Sequence, residues 1–383
     1  MIFEALAAIA VAIWLYLLFA RGWFWLCSER DGPRFASVTS WPAVTAVVPA
    51  RDEAACIGES IASLLRQNYR GRWAVVLVDD DSNDGTADIA RRAAQAQGGA
   101  ERLQIVASRA LPGGWTGKLW AVKQGVDAAL AVDDPPDYVL LTDADVIYEP
   151  QVLASLVAHA QSKGLALASF MVKLRCESFA ERSLVPAFIF FFQMLYPFGW
   201  VNRTERGTAA AAGGCMLVRA DRLRQAGGID SIRSALIDDC ALAQRLKAQG
   251  PIWLGLTERV HSIRQYPGIE DIRRMVARSA YAQLRYSPLL LAGTIGGMTL
   301  VYLAPPLLAI FAGGLVQWLG LAAWLLMAIA FQPTLRLYRR SPLWGLALPA
   351  ISLCYMLFTI DSALQFARGK GGLWKGRIQA SRP

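Results

Sequence analysis

Between Tyr286 and Leu335 the chain runs for fifty residues without an Asp, Glu, Lys or Arg. A helix rises about 1.5 Å per residue and a bilayer core is about 30 Å thick, so this run is too long for one crossing and fits two. The break is expected near Gly313-Gly314 or Pro305-Pro306. Beyond the Arg336/Arg339/Arg340 cluster, Ser341–Ile360 is a further uncharged run. Ala5–Ala20 is another, and it continues past Arg21 through Gly22-Trp23-Phe24-Trp25-Leu26. It spans a bilayer if Arg21 reaches out to the interface. The chain opens Met-Ile-Phe-Glu and the run ends in bulky aromatics, so residues 1–28 are expected to be a retained anchor rather than a cleaved leader. Ser183–Asn202 is uncharged too, but Pro186 and Pro197 interrupt it. It reads as an interfacial or re-entrant segment, with a full crossing as the alternative.

Composition agrees with a membrane setting. Of the 383 residues, 55% are hydrophobic and 18% charged, against about 25% charged in an ordinary soluble domain. That excludes a disordered chain. With only His159 and His261, a histidine-rich metal centre is not expected. Six cysteines without a CxxC pair offer neither a zinc site nor a disulfide framework. The net charge of +9 is assigned to membrane-surface contact and not to nucleic acid. Arg21, Arg30 and Arg34 follow the first span, which places the middle of the chain in the cytoplasm, at the cell (inner) membrane. Three crossings within 286–366 would leave the basic tail 367–383 (Arg368, Lys370, Lys375, Arg377, Arg382) outside, against the same rule. The number of crossings and the side of the tail stay open.

The middle, residues 40–285, alternates apolar runs with helical periodicity. Val44–Val48, Ala74–Val78, Leu103–Val106 and Tyr138–Leu141 read as strands, and Ile57, Ile61, Leu64 and Leu65 mark one face of a helix. Such alternation predicts an α/β fold with a mainly parallel sheet, whose ligands gather at the carboxyl ends of the strands.

Acidic residues sit at two of those ends. Asp143-Ala144-Asp145 offers two hard oxygen donors suited to Mg²⁺ or Mn²⁺ bridging a diphosphate; the plainer reading is a solvated turn. Asp79-Asp80-Asp81-Ser82-Asn83-Asp84-Gly85-Thr86 holds more acids than a helix cap needs, and a carboxylate there can accept hydrogen bonds from a base or ribose. Leu111–Lys118 is a Gly-rich loop entering a helix, able to hold phosphate through Lys118, although Leu119 departs from a Walker A loop; otherwise it is a surface loop. Gly213–Arg219 reads as a strand that another group approaches closely. Asp238-Asp239 begins an amphipathic helix and is either a helix-dipole pair or a carboxylate base. Gln283-Leu284-Arg285-Tyr286 lies just before the long apolar run, as an interface anchor or as the acceptor side of a site.

In this order the segments resemble the family 2 glycosyltransferases of the GT-A fold, over residues 43–286. Val48-Pro49-Ala50-Arg51-Asp52-Glu53-Ala54 looks like that family's opening strand and P-A-x-N-E-x turn, with Asp52 in place of Asn. Val78–Thr86 is similar to V-D-D-G-S-x-D-G-T, with Asp81 for Gly. Gly117-Lys118 through Gly125 resembles G-K-x-x-A-x-x-x-G. Asp143/Asp145 match the DxD motif, Asp238-Asp239 the E-D pair, and Arg285-Tyr286 the R-W of Q-x-x-R-W, with Gln283 one residue late. The membrane flanks and the closing Trp374-Lys375-Gly376-Arg377 narrow the resemblance to the hopanoid-biosynthesis-associated glycosyltransferases of the HpnB type.

The resemblance implies a GT-A, Rossmann-like domain flanked by transmembrane helices. It implies a metal-dependent, inverting transfer of sugar from a nucleotide-diphosphate sugar to a hydroxyl of a membrane lipid, hopanoid-like or other. Asp239 would be the general base beside Asp238. Asp145, with Asp143, would hold Mg²⁺ or Mn²⁺. Pro49, Arg51, Glu53, Asp79, Asp80, Lys118 and Asp143 would contact the nucleotide sugar, and Gln283, Arg285 and Tyr286 would lie on the acceptor side. A polyprenyl-phosphate sugar synthase, a processive polysaccharide synthase and a non-catalytic membrane scaffold are the alternatives.

Overall fold

The computed structural model describes residues 1–32, 40–372, 375 and 376. Arg34, Trp374, Arg377 and Arg382 lie outside the described residues. The chain divides into two compact units. One comprises Glu29–Arg175 and Trp200–Arg264; the other comprises Met1–Ser28, Cys176–Gly199 and Gln265–Pro383.

The first unit is built on an eight-stranded sheet: β1 (Val44–Ala50), β2 (Trp73–Asp79), β3 (Leu103–Ala107), β4 (Tyr138–Leu141), β5 (Val146–Tyr148), β6 (Leu167–Lys173), β7 (Met216–Arg219) and β8 (Ile252–Ser262). Their spatial order is β3-β2-β1-β4-β7-β6-β8-β5. Strands β3, β2, β1 and β4 run parallel, as their apolar runs separated by helices predict. The other half is mixed. β7 lies antiparallel between β4 and β6, β8 is parallel to β6, and β5 is antiparallel to β8. The sheet is thus less uniformly parallel than the alternation predicts: the short strands β5 and β7 run against their neighbours, and the order of β4 to β8 in space departs from their order in the chain.

Two consequences position the site. The chain winds from β1 outward to β3, then returns to the opposite side of β1 to form β4. The crevice at such a reversal lies at the carboxyl ends of the strands. β7 runs against β4 with Met216 paired to Leu141, so its amino end, preceded by Gly213 and Gly214, shares that edge. Ile57, Ile61 and Leu64 on the helix Ile57–Leu65 are fully buried, as their spacing predicts. They join Val75, Leu77, Leu140, Leu156 and Phe170 in one apolar core.

The helix Gly117–Leu130 packs on the sheet through Gly125. A Cβ at Gly125 would stand 2.4 Å from Val47 Cγ1 and 2.8 Å from Val78 Cγ2. Both contacts are far inside van der Waals distance, so only hydrogen at this position lets the helix approach β1 and β2.

The second unit is helical. Among the described residues, five helices are long and apolar enough to cross a membrane: Ile2–Phe19, Phe179–Val201, Pro288–Phe311, Gly314–Leu337 and Leu348–Ala367. The fifty-residue run breaks at Gly313, and Gly314 takes φ +59°, a left-handed conformation that glycine adopts without strain. Pro305 and Pro306 lie inside the preceding helix, after a wide turn at Thr299–Leu303. In an α or a π pattern the Val301 carbonyl would accept from residue 305 or 306. Both are prolines without an N–H, and the indole of Trp14 donates to it instead, at 2.9 Å. Pairing that carbonyl matters where no water reaches. Arg21 donates to the carbonyls of Met194 and Leu195, at the end of the helix Phe179–Leu195. That helix starts with a capping box between Ser178 and the fully buried Glu181, whose other oxygen accepts from Tyr266 N at 2.7 Å.

Gly125→Ala tests the close approach of helix and sheet. Overpacking of this kind costs about 1–3 kcal/mol, partly offset by the roughly 1 kcal/mol better helix propensity of Ala. The variant is expected to unfold earlier in a thermal or denaturant scan; equal or higher stability would contradict the packing argument.

Candidate active site

The edge is assembled from loops that follow β1, β2 and β4 and precede β7. After β1, Asp52 adopts φ +51°, a conformation Asp tolerates better than most residues. The loop is stitched to the one after β2. Asp52 N donates to Ser82 Oγ (3.0 Å), Asn83 N to Asp52 Oδ1 (3.0 Å), Glu53 N to Thr86 Oγ1 (2.9 Å) and Ala54 N to Asp84 Oδ2 (2.9 Å). Part of the acid density between Asp79 and Asp84 is therefore architectural. Asp84 also accepts from Thr86 N and Oγ1, and Asp79 Oδ1 accepts from Ser82 N. Asp80 is buried, and its carbonyl accepts from Arg51 Nη1 at 2.5 Å. Arg51 also lies within 4 Å of the carboxylates of Asp52, Asp80 and Asp81.

Next to this corner lies an open hollow, lined among others by Pro49, Lys118, Asp143, Gly213, Asp238 and Asp239. Thr116 caps the helix Gly117–Leu130, accepting from Leu119 N, and so fixes where Lys118 leaves it. Lys118 Nζ stands 2.9 Å from Asp143 Oδ1 and 3.2 Å from Asp238 Oδ2. Gly214 O accepts from Thr142 Oγ1 (2.9 Å) and Tyr148 Oη (3.0 Å), which ties the chain before β7 to the strand end that carries Asp143.

Asp239 sits in the first turn of the helix Asp238–Lys247. Its Oδ2 accepts from Gly213 N at 3.0 Å and its Oδ1 from Cys240 N at 2.7 Å. Burial pushes its pKa up to about 6; the neighbouring Asp238 charge adds to the rise, while Lys118 and the two backbone N–H groups oppose it. A carboxylate tuned this way accepts a proton near neutral pH far better than an ordinary aspartate.

Asp145 is buried and immediately precedes β5. Ser262 Oγ donates to its Oδ2 at 2.5 Å, and Arg264 Nε lies 3.3 Å from the same oxygen. Arg264 Nη2 donates to Glu53 Oε1 at 2.7 Å, so one guanidinium joins the loop after β1 to the second acid of Asp143-Ala144-Asp145. Sequence reasoning missed Ser262 and Arg264. They are 117 and 119 residues from Asp145, and only the antiparallel pairing of β5 with β8, Val146 against Ser262, brings them together. The signal available was a Ser-Ile-Arg at the end of a long strand, with no motif attached to it.

Among the described residues, no group of three or more His, Cys, Asp or Glu stands ready to hold an ion unaided. Mg²⁺ and Mn²⁺ commonly take one or two carboxylates and complete their shell with phosphate oxygens and water. The hard donors of Asp143 and Asp145 fit an ion of that kind when a diphosphate accompanies it.

The structure thus gathers Pro49, Lys118, Asp143, Asp238 and Asp239 round one hollow, links Asp145 to Glu53 through Arg264, and places Arg51, Asp79 and Asp80 at the adjoining strand ends. Gln283, Arg285 and Tyr286 belong to the helical unit. There Gln283 Oε1 and Tyr196 Oη are 2.9 Å apart, Tyr286 stacks on Phe366, and Arg285 and Tyr286 take successive positive φ values of 52° and 56°.

A comparison with solved structures finds a mannosyltransferase from Pyrobaculum calidifontis, determined with GDP-mannose and Mn²⁺. It is 19% identical and aligns with a TM-score of 0.56 over 94% of this chain and 99% of the other. The likeness establishes a shared GT-A fold. Two others align less well. Glucosyl-3-phosphoglycerate synthase of Mycobacterium tuberculosis with Mg²⁺ and UDP is 16% identical, with a TM-score of 0.44 over 67% of this chain and 86% of that one. TarS of S. aureus is 13% identical, with a TM-score of 0.41 over 85% of this chain and 55% of that one. Neither adds to the fold assignment. No curated protein matches the sequence. The profile of glycosyltransferase-like family 2 matches residues 42–253, more than half of the chain. With a mixed α/β sheet and an acid-lined hollow at its carboxyl edge, the protein belongs to glycosyltransferase family 2.

Proposed function

We propose that this protein is an inverting, metal-dependent glycosyltransferase that moves a sugar from a nucleotide-diphosphate sugar to the hydroxyl of a membrane lipid, hopanoid-like or other. The observation that carries the reading is Asp239, a carboxylate with its pKa pushed up to about 6, in the same hollow as Asp143 and Lys118. The donor's nucleotide lies at the loops after β1 and β2, against Arg51, Glu53, Asp79 and Asp80, and its diphosphate extends toward Lys118 and Asp143. Asp239 takes the proton from the acceptor hydroxyl as that oxygen attacks the anomeric carbon. The bond to the diphosphate breaks on the opposite face, which inverts the anomeric centre. Gly213 N and Cys240 N hold both oxygens of Asp239 and fix its direction. When bound, a divalent ion held by Asp145 and Asp143 supplies positive charge that offsets the departing diphosphate.

The lipid acceptor rests on the five helices long and apolar enough to cross a membrane. Arg21 and Arg30, after the first of them, support an inner-membrane protein whose α/β unit faces the cytoplasm. The fold likeness to a mannosyltransferase determined with GDP-mannose and Mn²⁺ supports the donor class and the ion.

Asp239→Asn is expected to lower the turnover number by about 10²–10⁴-fold. Calorimetry should find nucleotide affinity nearly unchanged in this variant. Full turnover would remove Asp239 as the base. The pH profile carries the same information. The base works ionised, so with a pKa of about 6 the wild-type kcat/KM should be flat above that pH and fall about tenfold per unit below it. A limb near pH 4 instead would mean that the base is an unperturbed carboxylate. Asp145→Ala should abolish the gain in nucleotide affinity that Mn²⁺ confers; an unaltered gain would exclude Asp145 as an ion ligand.

A further inference from the structure

Both acids of Asp143-Ala144-Asp145 already carry a positive partner from this chain. Lys118 Nζ is 2.9 Å from Asp143 Oδ1, and Arg264 Nε is 3.3 Å from Asp145 Oδ2, the oxygen that also accepts from Ser262. Each cation has a second acidic partner. Lys118 is shared with Asp238 at 3.2 Å, and Arg264 donates to Glu53 Oε1 at 2.7 Å, Glu53 itself being buried. Arg264 N also donates to Ser262 Oγ at 3.2 Å, which orders the turn after β8.

We infer that Arg264, with Lys118, is an internal counter-ion that couples divalent-ion binding to donor binding. The inference rests on the reading of Asp143 and Asp145 as ion ligands. A guanidinium and a divalent ion compete for the same carboxylate oxygen, because two positive charges in contact with one anion repel each other. Without a donor, the carboxylates are neutralised from within, and the site holds an ion poorly. A nucleotide diphosphate brings several negative charges and strong acceptor oxygens. Arg264 and Lys118 turn to these oxygens, since Arg pairs well with phosphate, and the two aspartates are released to the ion. Ion and donor therefore bind together. By reciprocity, each tightens the other by the same factor. Arg264 acts here as a positioning residue: it sets which ligands Asp145 keeps, and takes no part in the proton transfer at Asp239.

The test is Mn²⁺ binding to the purified full-length protein in detergent, followed by the electron paramagnetic resonance signal of free Mn²⁺, with and without GDP or UDP. For the wild type, nucleotide is expected to tighten Mn²⁺ by about tenfold or more. Arg264→Gln should tighten Mn²⁺ in the absence of nucleotide by about tenfold and shrink the gain from nucleotide correspondingly. Arg264→Lys, which keeps the charge and serves if the glutamine variant does not fold, should retain the gain to within about threefold. Equal Mn²⁺ affinity of Arg264→Gln and wild type without nucleotide, together with normal binding when nucleotide is present, would overturn the counter-ion inference alone. Failure of Mn²⁺ to bind wild type under either condition would overturn the ligand assignment, and the inference with it.

Discussion

Carboxylates crowd one edge of the sheet, among them Glu53, Asp143, Asp145, Asp238 and Asp239. The fold tolerates them because two basic side chains are built into their midst. Lys118 bridges Asp143 and Asp238, and Arg264 bridges Glu53 and Asp145. Like charges this close would otherwise repel or protonate. Asp239 shows the residue of that tension: burial and Asp238 raise its pKa to about 6, and backbone N–H groups keep the rise from going further. Charge balance thus leaves one carboxylate with a raised pKa among neighbours that are each paired with a cation of the chain.

The scaffold makes this balance possible by holding loops from distant parts of the chain in register. Asp52, Ser82, Asn83 and Asp84 stitch the loops after β1 and β2. Thr142 and Tyr148 fasten Gly214. Gly125 lets the helix that starts beside Lys118 press against β1 and β2, so that the lysine reaches Asp143 and Asp238 from a rigid base. The helical unit has its own unpaired backbone group to satisfy. Trp14 answers the Val301 carbonyl that two prolines leave without a backbone donor.

Much of this was legible in the sequence, for identifiable reasons. Buried parallel strands are short apolar runs, so β1, β2 and β4 stood out, and the partly exposed edge strand β3 with them. The spacing of Ile57, Ile61 and Leu64 marked a buried helical face, and the absence of charge marked the spans. Asp143-Ala144-Asp145 and Asp238-Asp239 could be singled out because acids directly after or beside apolar runs are costly without a use. The mixed half of the sheet was not legible, since a four-residue strand such as β7 says nothing about the direction of its neighbours. Nor were Ser262 and Arg264. Their meaning arises from a pairing between β5 and β8 across more than a hundred residues, which local pattern does not encode. Asp84, part of the same acidic run, accepts from Ala54 N, Thr86 N and Thr86 Oγ1 and so holds the turn, a role that local acid density does not reveal.

The central claim is that this edge transfers a sugar from a nucleotide diphosphate to a lipid hydroxyl. The most direct measurement is mass spectrometry of lipids after purified protein is incubated with a panel of isotopically labelled nucleotide sugars, membrane lipids and Mn²⁺. The account expects one labelled sugar attached to a hydroxyl-bearing lipid, with the nucleoside diphosphate released in equal amount. Sugar found only on a polyprenyl phosphate, or as a growing polymer, or on no lipid at all, would contradict it.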